Sequence, residues 1–92
     1  MKKIEKKAPE LSTIYIGNLD YKINEKQLIS LFIKFGKIKY VDIVKKNGGR
    51  QNKGIAFIKM YGRNNAQRAI KSLNETYYSG RTIKVSMAIE SK

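Results

Sequence analysis

Residues 53–60 read Lys-Gly-Ile-Ala-Phe-Ile-Lys-Met. Taken as an extended chain, the segment puts Ala56, Ile58 and Met60 on one side and Ile55, Phe57 and Lys59 on the other. Alternation of this kind marks a β-strand, because successive side chains leave opposite faces of a sheet. The first set suits a core. The second is unusual for a solvent face, since a phenylalanine stands between an isoleucine and a lysine.

Working outward, Lys46-Asn-Gly-Gly-Arg-Gln-Asn52 is a polar, glycine-containing link short enough for a hairpin. It leads back to residues 39–45, where Val41 and Ile43 oppose Tyr40, Asp42 and Val44. Residues 13–17, Thr-Ile-Tyr-Ile-Gly, form another alternating run, and residues 82–87 a last one, with Ile83 and Val85 inward and Lys84 and Ser86 outward. Two helical patterns separate these strands. Asn24 with Gln27 makes a capping box ahead of the apolar stripe Leu28, Leu31, Phe32 and Phe35, and Gly36 stops the helix. Ile29 and Ile33 lie beside that stripe as a partly exposed patch. Asn64 with Gln67 repeats the capping pair ahead of Ala66, Ala69, Ile70 and Leu73. Glu75–Gly80 reads as a turn region, with Tyr78 packing beneath it and Tyr77 exposed.

The order is βαββαβ. It implies an α+β domain with a four-stranded antiparallel sheet and two helices on one face. The other face is left bare, and Tyr15, Tyr40, Ile55, Phe57, Lys59 and Lys84 fall there. Rings interleaved with lysines suit stacked bases with phosphates alongside. Asp42 shares this face and opposes phosphate; it could accept from a base amino group or pair with a nearby lysine, and the pair is the expected state.

Composition narrows the choice of partner. Ninety-two residues fit one domain, and 20 Lys+Arg against 7 Asp+Glu give a net charge of +13. A charge this large calls for a polyanion. Lys2, Lys3, Lys6 and Lys7 cluster in the leading segment; Lys45, Lys46, Arg50 and Lys53 cluster around the link. Without Cys or His, disulfides, zinc fingers and His- or Cys-based catalysis are excluded. Gly48-Gly49 does not extend to a phosphate-loop pattern, and no paired carboxylates occur at useful spacing. Neither an enzyme, a cofactor nor a metal is expected. No apolar run approaches the roughly 18–20 residues of a membrane span, and MKKIEKKAPE lacks the apolar stretch of a leader.

Two segments resemble a known family. Ile14-Tyr15-Ile16-Gly17-Asn18-Leu19 looks like the shorter ribonucleoprotein hexapeptide of the RNA-recognition motif, and residues 53–60 look like its octapeptide, K/R-G-F/Y-G/A-F-V-x-F/Y. Leu-x-x-Leu-Phe-x-x-Phe-Gly between them, and Ala-x-x-Ala-Ile-x-x-Leu-Asn with Gly-Arg-Thr-Ile-Lys-Val after them, are similar to the family too. The likeness covers residues 13–88, with residues 1–12 as a flexible basic tail and 89–92 as a short C-terminal tail. It implies the ferredoxin-like α/β plait, and its compactness resembles the small single-domain bacterial-type members. Acylphosphatases share the βαββαβ order, but their glycine-rich anion cradle with its arginine is missing here.

The resemblance implies that Tyr15 and Phe57 each stack on a base, that Lys53 contacts phosphate, and that Gly54 lets the backbone lie close. Ile55 departs from the pattern, since an aromatic is common there; it offers a ribose apolar contact but no stacking face. Lys59, Lys84, Tyr40, Lys45, Lys46 and Arg50 complete the candidate set. The implied function is binding of single-stranded RNA, with single-stranded DNA as a second ligand, by a cytoplasmic monomer (nuclear if eukaryotic) in post-transcriptional RNA metabolism. Two other readings stay open. One is a protein-interaction module using the sheet or the Ile29/Ile33 side, and the other is a structural component of a ribonucleoprotein particle.

Overall fold

A computed structural model describes residues 10–45 and 52–89, apart from the side chains of residues 52 and 53. The elements are β1 (Leu11–Gly17), α1 (Glu25–Phe32), a 3-10 turn (Ile33–Phe35), β2 (Ile38–Lys45), β3 (Asn52–Tyr61), α2 (Arg63–Leu73), β4 (Tyr77–Tyr78), β5 (Arg81–Thr82) and β6 (Lys84–Met87). The main sheet is antiparallel with strand order β2-β3-β1-β6, and β4 and β5 form a separate small ribbon. The ferredoxin-like α+β plait expected from the sequence is therefore present. Its central strands, β1 and β3, are the two that carry the family-like peptides.

The inward set of each strand makes the core. Ile14, Ile16, Ala56, Ile58, Met60, Ile83 and Val85 are buried together with Leu28, Phe32, Ala66, Ala69 and Leu73 from the helices. α2 packs on β1, β3 and β6, where its two alanines allow close approach, while α1 packs on β2. Both helices thus cover one face and leave the other open.

The capping box of α1 forms as read. Asn24 Oδ1 accepts from the Gln27 N–H at 2.9 Å, and Gln27 Oε1 accepts from the Asn24 N–H at 3.0 Å. The α-helix stops at Phe32, however, and Phe35 joins the core from the 3-10 turn that Gly36 closes at φ +156°.

The second capping box does not form. α2 starts at Arg63, so Asn64 already lies inside the first turn, and Gly62 holds the cap position at φ +90° with no side-chain cap. Backbone bonds hold Gly62 itself in place: its N–H donates to Glu10 O at 2.8 Å and its carbonyl accepts the first helical bond, from the Ala66 N–H, at 3.0 Å.

The last strand is also divided. Ile83 donates to Thr76 O at 2.9 Å and accepts from the Glu75 N–H at 2.8 Å, which draws its backbone out of the sheet between β5 and β6. β1 begins at Leu11, paired with Tyr61, two residues ahead of the alternating run read from residue 13. Residues 1–9 and 90–92 lie outside the described residues. No described helix is long and apolar enough to cross a membrane.

Candidate nucleic-acid interface

Cross-strand register turns the open face into rows. The central row runs Asp42–Phe57–Tyr15–Ser86, from β2 through β3 and β1 to β6. Below it, Tyr40 and Thr13 flank Lys59; above it, Gly17 pairs with Lys84, and Ile55 stands beside them on β3. The two candidate stacking rings are therefore direct neighbours. Their centroids are 5.8 Å apart and their planes tilt by 59°. Both are half-buried.

Two glycines shape this centre. A Cβ at Gly17 would lie 2.9 Å from Cζ of Tyr15, because the ring folds back along its own strand over that residue. Gly54 has φ +83°, and a Cβ there would meet the backbone oxygen of Leu19 at 3.1 Å. The Leu19 N–H donates to Gly54 O at 3.0 Å, so the close approach expected of Gly54 is made to the chain leaving β1.

Tyr40 is 47% exposed at the edge of the platform, and Lys59 Nζ sits 5.8 Å from its ring centroid. A cation over a ring face is held by the ring's quadrupole. Ile55 is half-buried on the same face, and Lys45 is exposed at the end of β2. Lys84 Nζ lies 3.3 Å from Glu75 Oε2, with both side chains more than half exposed. Such exposed pairs are weak, so Lys84 can exchange one anion for another. Lys46, Arg50 and the Lys53 side chain lie outside the described residues.

Among the described residues the lysine partner expected for Asp42 is not found. This exposed carboxylate makes no ion pair or hydrogen bond among the described residues, since Lys59, the closest lysine by register, leans over Tyr40. Tyr77 is exposed as expected, whereas half-buried Tyr78 reaches α1, its hydroxyl 3.4 Å from Gln27 O. Burial raises the Tyr78 pKa above its ordinary value.

Sequence reading missed one lock. Asn18, at φ +58°, accepts from Arg81 Nη2 at 2.9 Å and donates to Thr82 O at 2.7 Å. This ties the end of β1 to the β4–β5 ribbon. Asparagine tolerates the left-handed region, which was the available signal.

Among the described residues no group of three or more His, Cys, Asp or Glu could hold a metal. What the face offers is two adjacent rings, a third ring at the edge, aliphatic surface, and cations around them.

A family model described as RNA recognition motif matches residues 14–84. The human zinc finger CCHC-type and RNA-binding motif-containing protein 1 is 37% identical over 83 residues, covering 90% of this chain and 38% of that protein. The Arabidopsis thaliana U11/U12 small nuclear ribonucleoprotein 31 kDa protein is 35% identical over 83 residues, covering 90% of this chain and 32% of that protein. The solved SXL-lethal protein/RNA complex is 30% identical, with a TM-score of 0.79 over 84% of this chain and 47% of that one. The chain thus spans less than two fifths of either curated relative.

These relatives correct the expected bacterial-type likeness, because they are eukaryotic. A compact length was a poor guide: the same module is embedded in longer proteins. The expected cytoplasmic address also finds no support, since the Arabidopsis relative is named for a nuclear particle.

Proposed function

The chain belongs to the RNA recognition motif family, and from that membership we propose that its open sheet grips about two to four nucleotides of single-stranded RNA by stacking. The observation that carries this reading is the Tyr15–Phe57 pair at 5.8 Å on the uncovered face of the two central strands. Adjacent bases splayed from a single strand would rest on these rings. Ile55 would touch the ribose between them, and Tyr40 would extend the platform at the β2 edge. Lys59, Lys84, Lys45 and Lys53, with Lys46 and Arg50 of the link, would neutralise phosphates. RNA is favoured over single-stranded DNA by the family. The protein acts in nuclear RNA processing, in keeping with the relative named for a small nuclear ribonucleoprotein, and it acts as a monomer.

Amide shifts followed during titration with a short single-stranded RNA test this reading. The changes should concentrate on β1, β3 and the β2 edge and leave the outer sides of α1 and α2 still. Changes confined to the helices would overturn it.

A further inference from the structure

The central row ends in a carboxylate, which a platform built only to attract phosphate would not carry. Asp42 stands directly opposite Phe57 on the edge strand β2, exposed and without an ion pair among the described residues. Facing residues of an antiparallel pair hold their Cβ atoms about 4.5–5.5 Å apart. A base lying on the Phe57 ring therefore brings its outer edge over Asp42, with no further strand beyond it among the described residues.

An ionised carboxylate only accepts hydrogen bonds. It repels a base edge made of carbonyl oxygens and attracts one made of N–H groups. In an unpaired strand the Watson–Crick edge is free to be read. Guanine presents N1–H and N2–H side by side there, and two parallel donors match the two oxygens of a carboxylate as an arginine fork does. Cytosine and adenine offer one amino group beside a ring acceptor. Uracil places its single N–H between two carbonyls.

We infer that Asp42 is a specificity-determining residue that selects guanine for the base stacked on Phe57. The inference rests on the stacking reading above and deepens it. Asp42 also weakens attraction to phosphate, so its presence is better explained by base choice than by affinity. Lysine placement agrees, because Lys59 is drawn to Tyr40 and leaves the carboxylate open to a ligand.

The test is titration of short RNAs carrying one guanine in a uridine background, with that guanine replaced by inosine, adenine or uracil, into wild type, Asp42→Asn and Phe57→Ala. Inosine lacks only the N2 amino group. Wild type should prefer guanine to inosine, and more strongly to uracil, by about 5- to 100-fold, the range for a good bidentate base contact. Asp42→Asn should bind the uracil RNA at least as well, having lost a negative charge, and should lose its advantage for the guanine RNA, so that the guanine-to-uracil ratio collapses toward one. The charge effect is common to all the RNAs and cancels in that ratio. Phe57→Ala should weaken all of them together.

An unchanged ratio in Asp42→Asn would overturn the inference while leaving stacking in place, as would a wild type indifferent to guanine whose binding still needs Phe57. Binding that ignores Phe57→Ala would overturn the stacking reading and the inference with it.

Discussion

Tyr15 lies over a residue that has no side chain, and its orientation depends on that. With Gly17→Ala the new methyl would stand 2.9 Å from Cζ of the ring, and the ring, as the movable partner, would lift. Affinity for single-stranded RNA should then fall by about 1–3 kcal/mol, close to the loss from Tyr15→Ala, with the denaturation midpoint little changed. Ile55→Phe should act the other way and tighten binding by about 1 kcal/mol, the low end for a base–aromatic contact. Both are read by titration beside a urea melt. At this scale the sequence was legible for a definite reason. Period-two alternation assigned Tyr15, Phe57, Ile55 and Lys59 to the open face before any coordinates. It could not show where a flexible side chain leans, so the contact between Lys59 and Tyr40, the ion pair of Lys84 and the lack of an Asp42 partner among the described residues had to come from the structure.

At the level of elements, the two helix starts look alike in sequence and differ in structure. Asn24 caps α1 through its side chain; Asn64 lies within α2, whose cap position is held by Gly62 with no side-chain cap bond. Asn24→Ala should therefore cost about 1 kcal/mol, whereas Asn64→Ala should stay within about 0.5 kcal/mol. Urea midpoints at constant m separate the two. The pattern of Asn followed by Gln three residues on was a sound signal in one place and a coincidence in the other, because a cap is fixed by where the backbone turns. The β4–β5 ribbon was hidden for a related reason: the Asn18–Arg81 lock joins residues far apart in the chain. The ribbon's Tyr78 gives a pH test. Its folded pKa is raised above the ordinary value of 10.0 by burial, so the unfolded chain ionises first. Stability is retained below about pH 10 and falls above it. Tyr78→Phe should flatten that fall in melts taken from pH 8 to 11.

The whole molecule combines a net charge of +13 with a platform of rings, and the two contributions separate by their response to salt. Log affinity should fall linearly with log salt, by about 0.7 per phosphate engaged on a single strand. Lys45→Ala should lower that slope, while Phe57→Ala should lower affinity and leave the slope unchanged. Charge alone described a protein for any polyanion. The rows of the sheet are the ground for proposing unpaired bases as the ligand.

The most direct test compares wild type with the Tyr15→Ala/Phe57→Ala double variant in titrations of a short single-stranded RNA at fixed salt. The account predicts that the folded double variant loses about 2–6 kcal/mol of binding free energy, as two base–aromatic stacks would require. Unchanged affinity in the folded double variant would contradict it and leave only polycation binding.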